Sequence, residues 1–254
     1  MRADEAVRLF GRMGRAAICC AAAALIAAGA AVAQTQSYAG EIHDLELGLQ
    51  AQTMTLDGWG QLACGSDGGP PRQDIDIWSQ FKKCQPEANG LHEVAARFDD
   101  EDEYVGKALG EPAYAAQRTG TRVAGHPVVL SALFDDGGAL RGIRMVSDPR
   151  ATPTERRMAH LLGVAVINRY GTDNWTCADL PPAEGESAVG GVFVKQRCEK
   201  TLPGRALTVE IHFLRKPGQH DINPETHEYT QGEFESWTRF ELFDPAYRKL
   251  DPHG

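Results

Sequence analysis

The sequence predicts an α+β protein, a tandem duplication of a helix packed on an antiparallel sheet, each half stapled by one disulfide. Three observations carry that expectation. Two segments place apolar residues at helical spacing; several others alternate apolar and polar residues as half-buried strands do; and the residues that mark the first pair of late cysteines recur in the same order around the second pair.

The chain opens on a basic stretch with Arg2, Arg8, Arg12 and Arg15, followed from Ala16 to Ala33 by a run built almost wholly of Ala, Ile, Leu, Val, Cys and Gly. Ala31-Val32-Ala33 ahead of Gln34 puts small residues at the two positions that signal peptidase reads. Residues 1–33 are therefore expected to be a cleavable secretory signal, cut after Ala33. A retained anchor fits less well, because the run is Ala-rich and only about as long as the minimum needed to span roughly 30 Å of hydrocarbon. Cys19 and Cys20 lie too early for a lipobox. The Ala- and Arg-rich composition suggests a bacterial envelope, with the periplasm or the medium as destination.

Cleavage leaves roughly 220 residues, enough for one larger domain or two small ones. It turns 26 basic and 35 acidic residues into 22 and 33, so the formal charge moves from -9 to -11. Nucleic acid and anionic lipid are poor partners for such a chain, since both are held by clustered Lys and Arg. No second long apolar run follows, so no membrane span is expected after cleavage.

Cys64, Cys84, Cys177 and Cys198 remain, an even set that in an oxidising compartment is expected to form bridges. The first pair is framed by Trp59, Asp67, Pro70-Pro71, a β-prone stretch around Ile75, Ile77, Trp78 and Phe81, and Lys82-Lys83. The second is framed by Trp175, Asp179, Pro181-Pro182, Val192 to Val194, and Gln196-Arg197. Beyond them Gly90, Leu91, Val94 and Phe98 are echoed by Gly204, Leu207, Val209 and Phe213, and Leu133-Phe134-Asp135 by Leu242-Phe243-Asp244. If the halves are copies, Cys64 pairs with Cys84 and Cys177 with Cys198. The spacing lacks the C-x-x-C of a redox pair, so the bridges read as structural.

Thr152-Pro153-Thr154-Glu155 is a capping box with proline at the first helical position, and Met158, Leu161, Leu162, Ala165 and Val166 follow on one face up to Gly171. A weaker helix is expected from about Gly40 to Met54, with Ile42, Leu45 and Leu49 as its stripe and Asp57-Gly58 as its end. Val128 to Phe134 and Ala139 to Val146 flank Asp135-Asp136-Gly137-Gly138, a hairpin signature. Leu207 to Leu214 and Ser236 to Phe243 alternate as antiparallel strands with one buried face. The boundaries are then 34–150 for a first α+β unit and 151–254 for a second. In architecture alone this resembles the tandem helix-and-sheet layout of β-lactamase inhibitor proteins; no motif in the chain carries the likeness.

Candidate sites are few. The paired marks Trp59, Asp67, Pro70, Pro71, Trp175, Asp179, Pro181 and Pro182 are candidate binding residues, because turn-rich loops and aromatic rings beside a disulfide suit partner contact. Asp99, Asp100 and Asp102 in an acidic run, and His220 and His227 in a Pro- and Gly-punctuated loop, are weak metal candidates that match neither the EF-hand nor a zinc pattern. Gly65 to Pro71 lacks the Lys-Ser/Thr ending and the G-x-G-x-x-G spacing of a phosphate cradle, and no G-x-S-x-G elbow occurs, so neither cofactor nor catalytic residues are implied. The expected function is a non-enzymatic, exported binding module whose partner is another envelope or extracellular protein. The alternatives are a hydrolase using carboxylates with His126, His212, His220 or His227 in a cleft between the halves, and a divalent-metal-binding protein.

Overall fold

In a computed structural model, residues 41–98, 121–220, 225–227 and 234–248 are described. The signal segment, the run from Asp99 to Glu103, and Asp221 and Glu228 lie outside them. Within the described residues the chain forms β1 (Trp59–Cys64), β2 (Asp74–Ile75), a 3-10 helix (Trp78–Lys83), β3 (His92–Phe98), β4 (Arg122–Val123), β5 (His126–Phe134) and β6 (Leu140–Ser147). There follow α1 (Pro153–Arg157), α2 (Leu161–Arg169), β7 (Thr176–Asp179), β8 (Val194–Leu202), β9 (Arg205–Leu214), β10 (Glu235–Phe243) and α3 (Pro245–Arg248).

All ten strands belong to one sheet in the order β2-β1-β3-β5-β6-β10-β9-β8-β7, with β4 beside β5, and every pairing is antiparallel. This corrects the expected fold class. The protein is mostly antiparallel sheet with few helical residues, not a tandem of helix-on-sheet units. What overturns the expectation is the pairing of β6 with β10, which places Arg144 opposite Glu241 and Met145 opposite Phe240 and joins strands from the two stretches into one surface. The likeness to tandem helix-and-sheet proteins is lost with it.

The expected helix from about Gly40 to Met54 does not form over its described residues, 41–54. Ile42 and Leu45 bridge each other, and Gly48, Leu49 and Ala51 bond through their backbones to the β5–β6 hairpin rather than to residues four earlier. Gly48 N–H donates to the Leu140 carbonyl at 2.8 Å, and Ala51 N–H to that of Gly138 at 2.8 Å. A helical stripe and a strap of apolar residues laid across a sheet share the same spacing, so periodicity alone does not separate them. The stretch expected as β-prone after Ile75 is instead the 3-10 helix that buries Trp78 and Phe81.

The second helix forms where expected but in two pieces. Thr152 Oγ1 accepts the Glu155 N–H at 3.3 Å and Glu155 Oε2 accepts the Thr152 N–H at 3.0 Å, completing the capping box. α2 then lays Leu162, Val166 and Tyr170 on the sheet, and Gly163 leaves the room that Ile211 fills. The hairpin at Asp135 to Gly138 and the strands β9 and β10 match their sequence patterns.

Alternation sorts the strand residues between two faces. Leu62, Val94, Leu130, Ala132, Ile143, Met145, Phe240 and Val209 form one face and pack with Ile42, Leu45, Trp78, Phe81, Leu162 and Val166 into the main core. The two bridges are Cys64–Cys84 and Cys177–Cys198, closing 20- and 21-residue separations. The second links β7 to β8 at directly opposed positions.

Candidate functional site

The opposite face of the sheet carries a row the hydropathy pattern marks only as polar: Ala95, Ser131, Arg144, Glu241 and Thr208 stand side by side on β3, β5, β6, β10 and β9. Arg144 is fully buried, and Glu93 and Glu241 nearly so. Arg144 Nε donates to Glu241 Oε1 at 2.7 Å, and its two terminal nitrogens donate to the two oxygens of Glu87 at 2.5 and 3.1 Å. Asp67 and Glu93 oxygens lie 3.3 and 3.2 Å from the same guanidinium. Arg239 donates to Glu241 at 2.6 Å and also grips the Asp67 carboxylate. Two guanidiniums thus face four carboxylates.

The electrostatics follow from that imbalance. Burial alone would pull the Arg144 pKa down, but the Glu87 hydrogen bonds and the charges of Glu93 and Glu241 outweigh it and hold the guanidinium charged, above its ordinary value. The Glu87 pKa is raised as well, which for a carboxylate favours the neutral form. Burial pushes it above the usual range, and neighbouring Glu93 adds to the push while Arg144 opposes it. Arg239 is lowered by burial but raised on balance by Glu241 and Asp67.

This cluster fastens the loop from Gly65 to Pro71 onto the sheet. The Asp67 and Gly68 N–H groups donate to the two oxygens of Glu93 at 2.6 and 3.1 Å, and the Asp67 carbonyl accepts from Arg239 at 3.1 Å. Gly68, at φ +75°, lies so close that a Cβ would sit 2.3 Å from Val146 Cγ2. Pro70, Pro71 and Arg72 beyond it are exposed.

The loop is a wall common to three hollows. One of about 480 Å³ is lined by Cys64 to Asp67, Arg72, Lys83, Glu87 and Glu93; one of about 430 Å³ by Pro71, Ala95, Arg97, Val129 and Arg150; one of about 330 Å³ by Gly68, Val146, Pro149, Pro153, Phe234 and Trp237. Among the described residues no histidine lines any of the three. The raised acid Glu87 and the histidines of the hydrolase alternative are therefore apart: His212 Nε2 bonds Glu210 at 2.8 Å and its ring stacks on Trp237 at 4.1 Å, whereas His126 begins β5.

The sequence-derived candidates fall in several places. Trp59 is buried, edge-on to Trp78 and Phe98. Asp67, Pro70 and Pro71 belong to the fastened loop. Trp175 is half-buried, donating Nε1–H to the Gly171 carbonyl at 2.7 Å beneath the Lys200 ammonium. Asp179 accepts from Gln196 at 3.0 Å on the exposed outer strand, followed by Pro181 and Pro182, both exposed. The first set and the second lie toward opposite ends of the strand order, and among the described residues none of these three hollows is lined by both. Of the metal candidates, Asp99, Asp100 and Asp102 lie outside the described residues, and among the described residues no three His, Cys, Asp or Glu side chains are grouped to hold an ion.

Sequence reasoning missed Arg144, Glu87, Glu93, Arg239 and Glu241. The signal was present in Ile143-Arg144-Met145 and Phe240-Glu241-Leu242, where a charge interrupts buried apolar residues, but which charges meet depends on strand order. Comparison with known proteins finds no matching family model, no matching curated protein and no matching solved structure. What the fold and this face define is a class: a disulfide-bonded antiparallel sheet protein with a loop clamped over one face by buried ions.

Proposed function

We propose that this chain is an exported binding module that engages another extracytoplasmic protein through the loop-bearing face of its sheet. The single observation that carries the reading is the fastening of the Gly65–Pro71 loop by Glu93 and Arg239, which presents Pro70, Pro71 and Arg72 from a rigid base. Loops held in one conformation lose little freedom on binding, and recognition residues concentrate on such loops. Two disulfides, and the lack among the described residues of a helix long and apolar enough to cross a membrane, support an extracytoplasmic setting. The basic start, the apolar run and the Ala31-Val32-Ala33 site support export with cleavage after Ala33 into a bacterial periplasm.

The test is site-specific photo-crosslinking in the native envelope. Probes at positions 70, 71 and 72 are expected to capture one defined protein that probes at Asn168 and Lys216 do not. Equal capture from all five positions, or none from the loop, would dispose of the reading.

A further inference from the structure

We propose that the 330 Å³ hollow beside Trp237 binds a molecule carrying one carboxylate on an apolar or aromatic body, the chemistry shared by a C-terminal aromatic residue and a free aryl-alkanoic acid. The proposal rests on the reading of the chain as a binding module and names what one part of its face accepts.

The walls decide the body of the ligand. Val146, Pro149, Pro153, Phe234 and Trp237 make the hollow apolar, in a volume at the lower end of small-molecule sites. Trp237 is held in place by His212, whose ring lies at 4.1 Å and 25°, so its exposed surface needs no reordering when a ring packs against it.

The polar groups decide the charge. Asp148 is occupied by Arg150 at 2.8 Å and Glu235 by Lys216 at 3.1 Å. The Ser147 hydroxyl accepts the Thr238 N–H at 3.0 Å, and the Ser236 hydroxyl accepts the His160 N–H at 3.1 Å. Among the described residues the Arg156 guanidinium is the lining charge with no ion pair or hydrogen bond, and Arg157, over the Phe234 ring at 5.8 Å, adds a second cation beside it. A planar guanidinium in the lining of a hollow with apolar walls selects a carboxylate, which it meets with two parallel hydrogen bonds. In a chain of net charge -9 an uncommitted cation there is a local reversal of sign, and it discriminates against cationic and neutral ligands.

The experiment follows the tryptophan indole N–H resonances of the full chain in ¹⁵N-labelled protein, with the Trp237 signal assigned from Trp237→Phe. N-acetyl-phenylalanine is expected to shift the Trp237 signal saturably. Its carboxamide, which keeps the ring and loses the charge, and N-acetyl-glycine, which keeps the charge and loses the ring, should each bind about tenfold more weakly or worse. Arg156→Glu, at an exposed position, should cost the acid a similar factor, and Arg156→Lys should restore most of it. A peptide ending in free Phe that binds more tightly than N-acetyl-phenylalanine points to a polypeptide terminus, and equal binding points to a small acid. Acid and carboxamide binding alike, or an acid that leaves the Trp237 signal unmoved at about 10 mM, overturns the proposal. In that case crosslinks from positions 70 to 72 would still stand for the wider reading, and their absence beside a positive titration would remove only that reading's protein partner.

Discussion

Arg144 and Glu241 stand directly opposite one another across the β6–β10 ladder, and their side chains meet at 2.7 Å where solvent is excluded. Removing the cation leaves Glu93 buried without its counterion and Glu241 with Arg239 alone. Arg144→Met is expected to destabilise the protein by about 3–5 kcal/mol, the cost of uncompensated buried charge. Chemical denaturation checks it, and a variant as stable as wild type would mean that the four carboxylates are not held by this guanidinium.

The pH dependence has a definite sign. Burial raises the folded-state pKa of Glu87, so its contribution to stability is complete below the unfolded pKa and is lost as pH rises through the folded value. Glu41, raised chiefly by burial, contributes in the same direction. Glu87→Gln removes one of these losses. The stability at pH 7 minus that at pH 5 is therefore expected to be more positive for Glu87→Gln than for wild type, measured by urea denaturation at both values. An unchanged difference would deny Glu87 its raised pKa.

Each bridge closes a separation of 20 or 21 residues, for which the chain-entropy model gives a contribution on the order of 3 kcal/mol. Replacing either pair by Ser should lower the melting temperature by about 6–12 °C for a chain of this size. The two losses differ in place. Without Cys177–Cys198, hydrogen exchange should quicken in the outer strand β7, and without Cys64–Cys84 it should quicken at Asp67 and Gly68. Exchange that rises equally everywhere in both variants would contradict the local roles.

Gly68→Ala tests the clamp. Its backbone lies in the left-handed region, and the added methyl would meet Val146 at 2.3 Å, so the loop must lift from the sheet. A loss of about 1–3 kcal/mol is expected, together with faster exchange of the Asp67 N–H that Glu93 now holds. Loop crosslinking should weaken in parallel. A variant with unchanged exchange at Asp67 would show the loop to be anchored elsewhere.

Local structure was legible wherever local chemistry decides it. Thr152 and Glu155 cap α1 because their spacing suffices, Asp135 to Gly138 turns because Gly138 takes a positive φ, and the alternation of β9 and β10 reports one buried face. The expected pairing of Cys64 with Cys84 and Cys177 with Cys198 is the one observed. Ile42, Leu45 and Leu49 misled, because Ile42 and Leu45 bond each other and the Leu49 carbonyl accepts from Leu140 in a hairpin far along the chain. The clamp was illegible for a related reason: Glu87, Glu93, Arg144 and Glu241 come from separate segments, and only the strand order makes them neighbours.

The central ladder also sets a timetable. Arg144 waits 97 residues for Glu241, and among the described strands β10 comes last in chain order. Until Phe243 has been delivered, β6 has its apolar side beside β5 but no second neighbour, and non-local pairings of this kind are slow to form. The strands on either side of this ladder have neighbours of their own, and they become one sheet only where β10 meets β6.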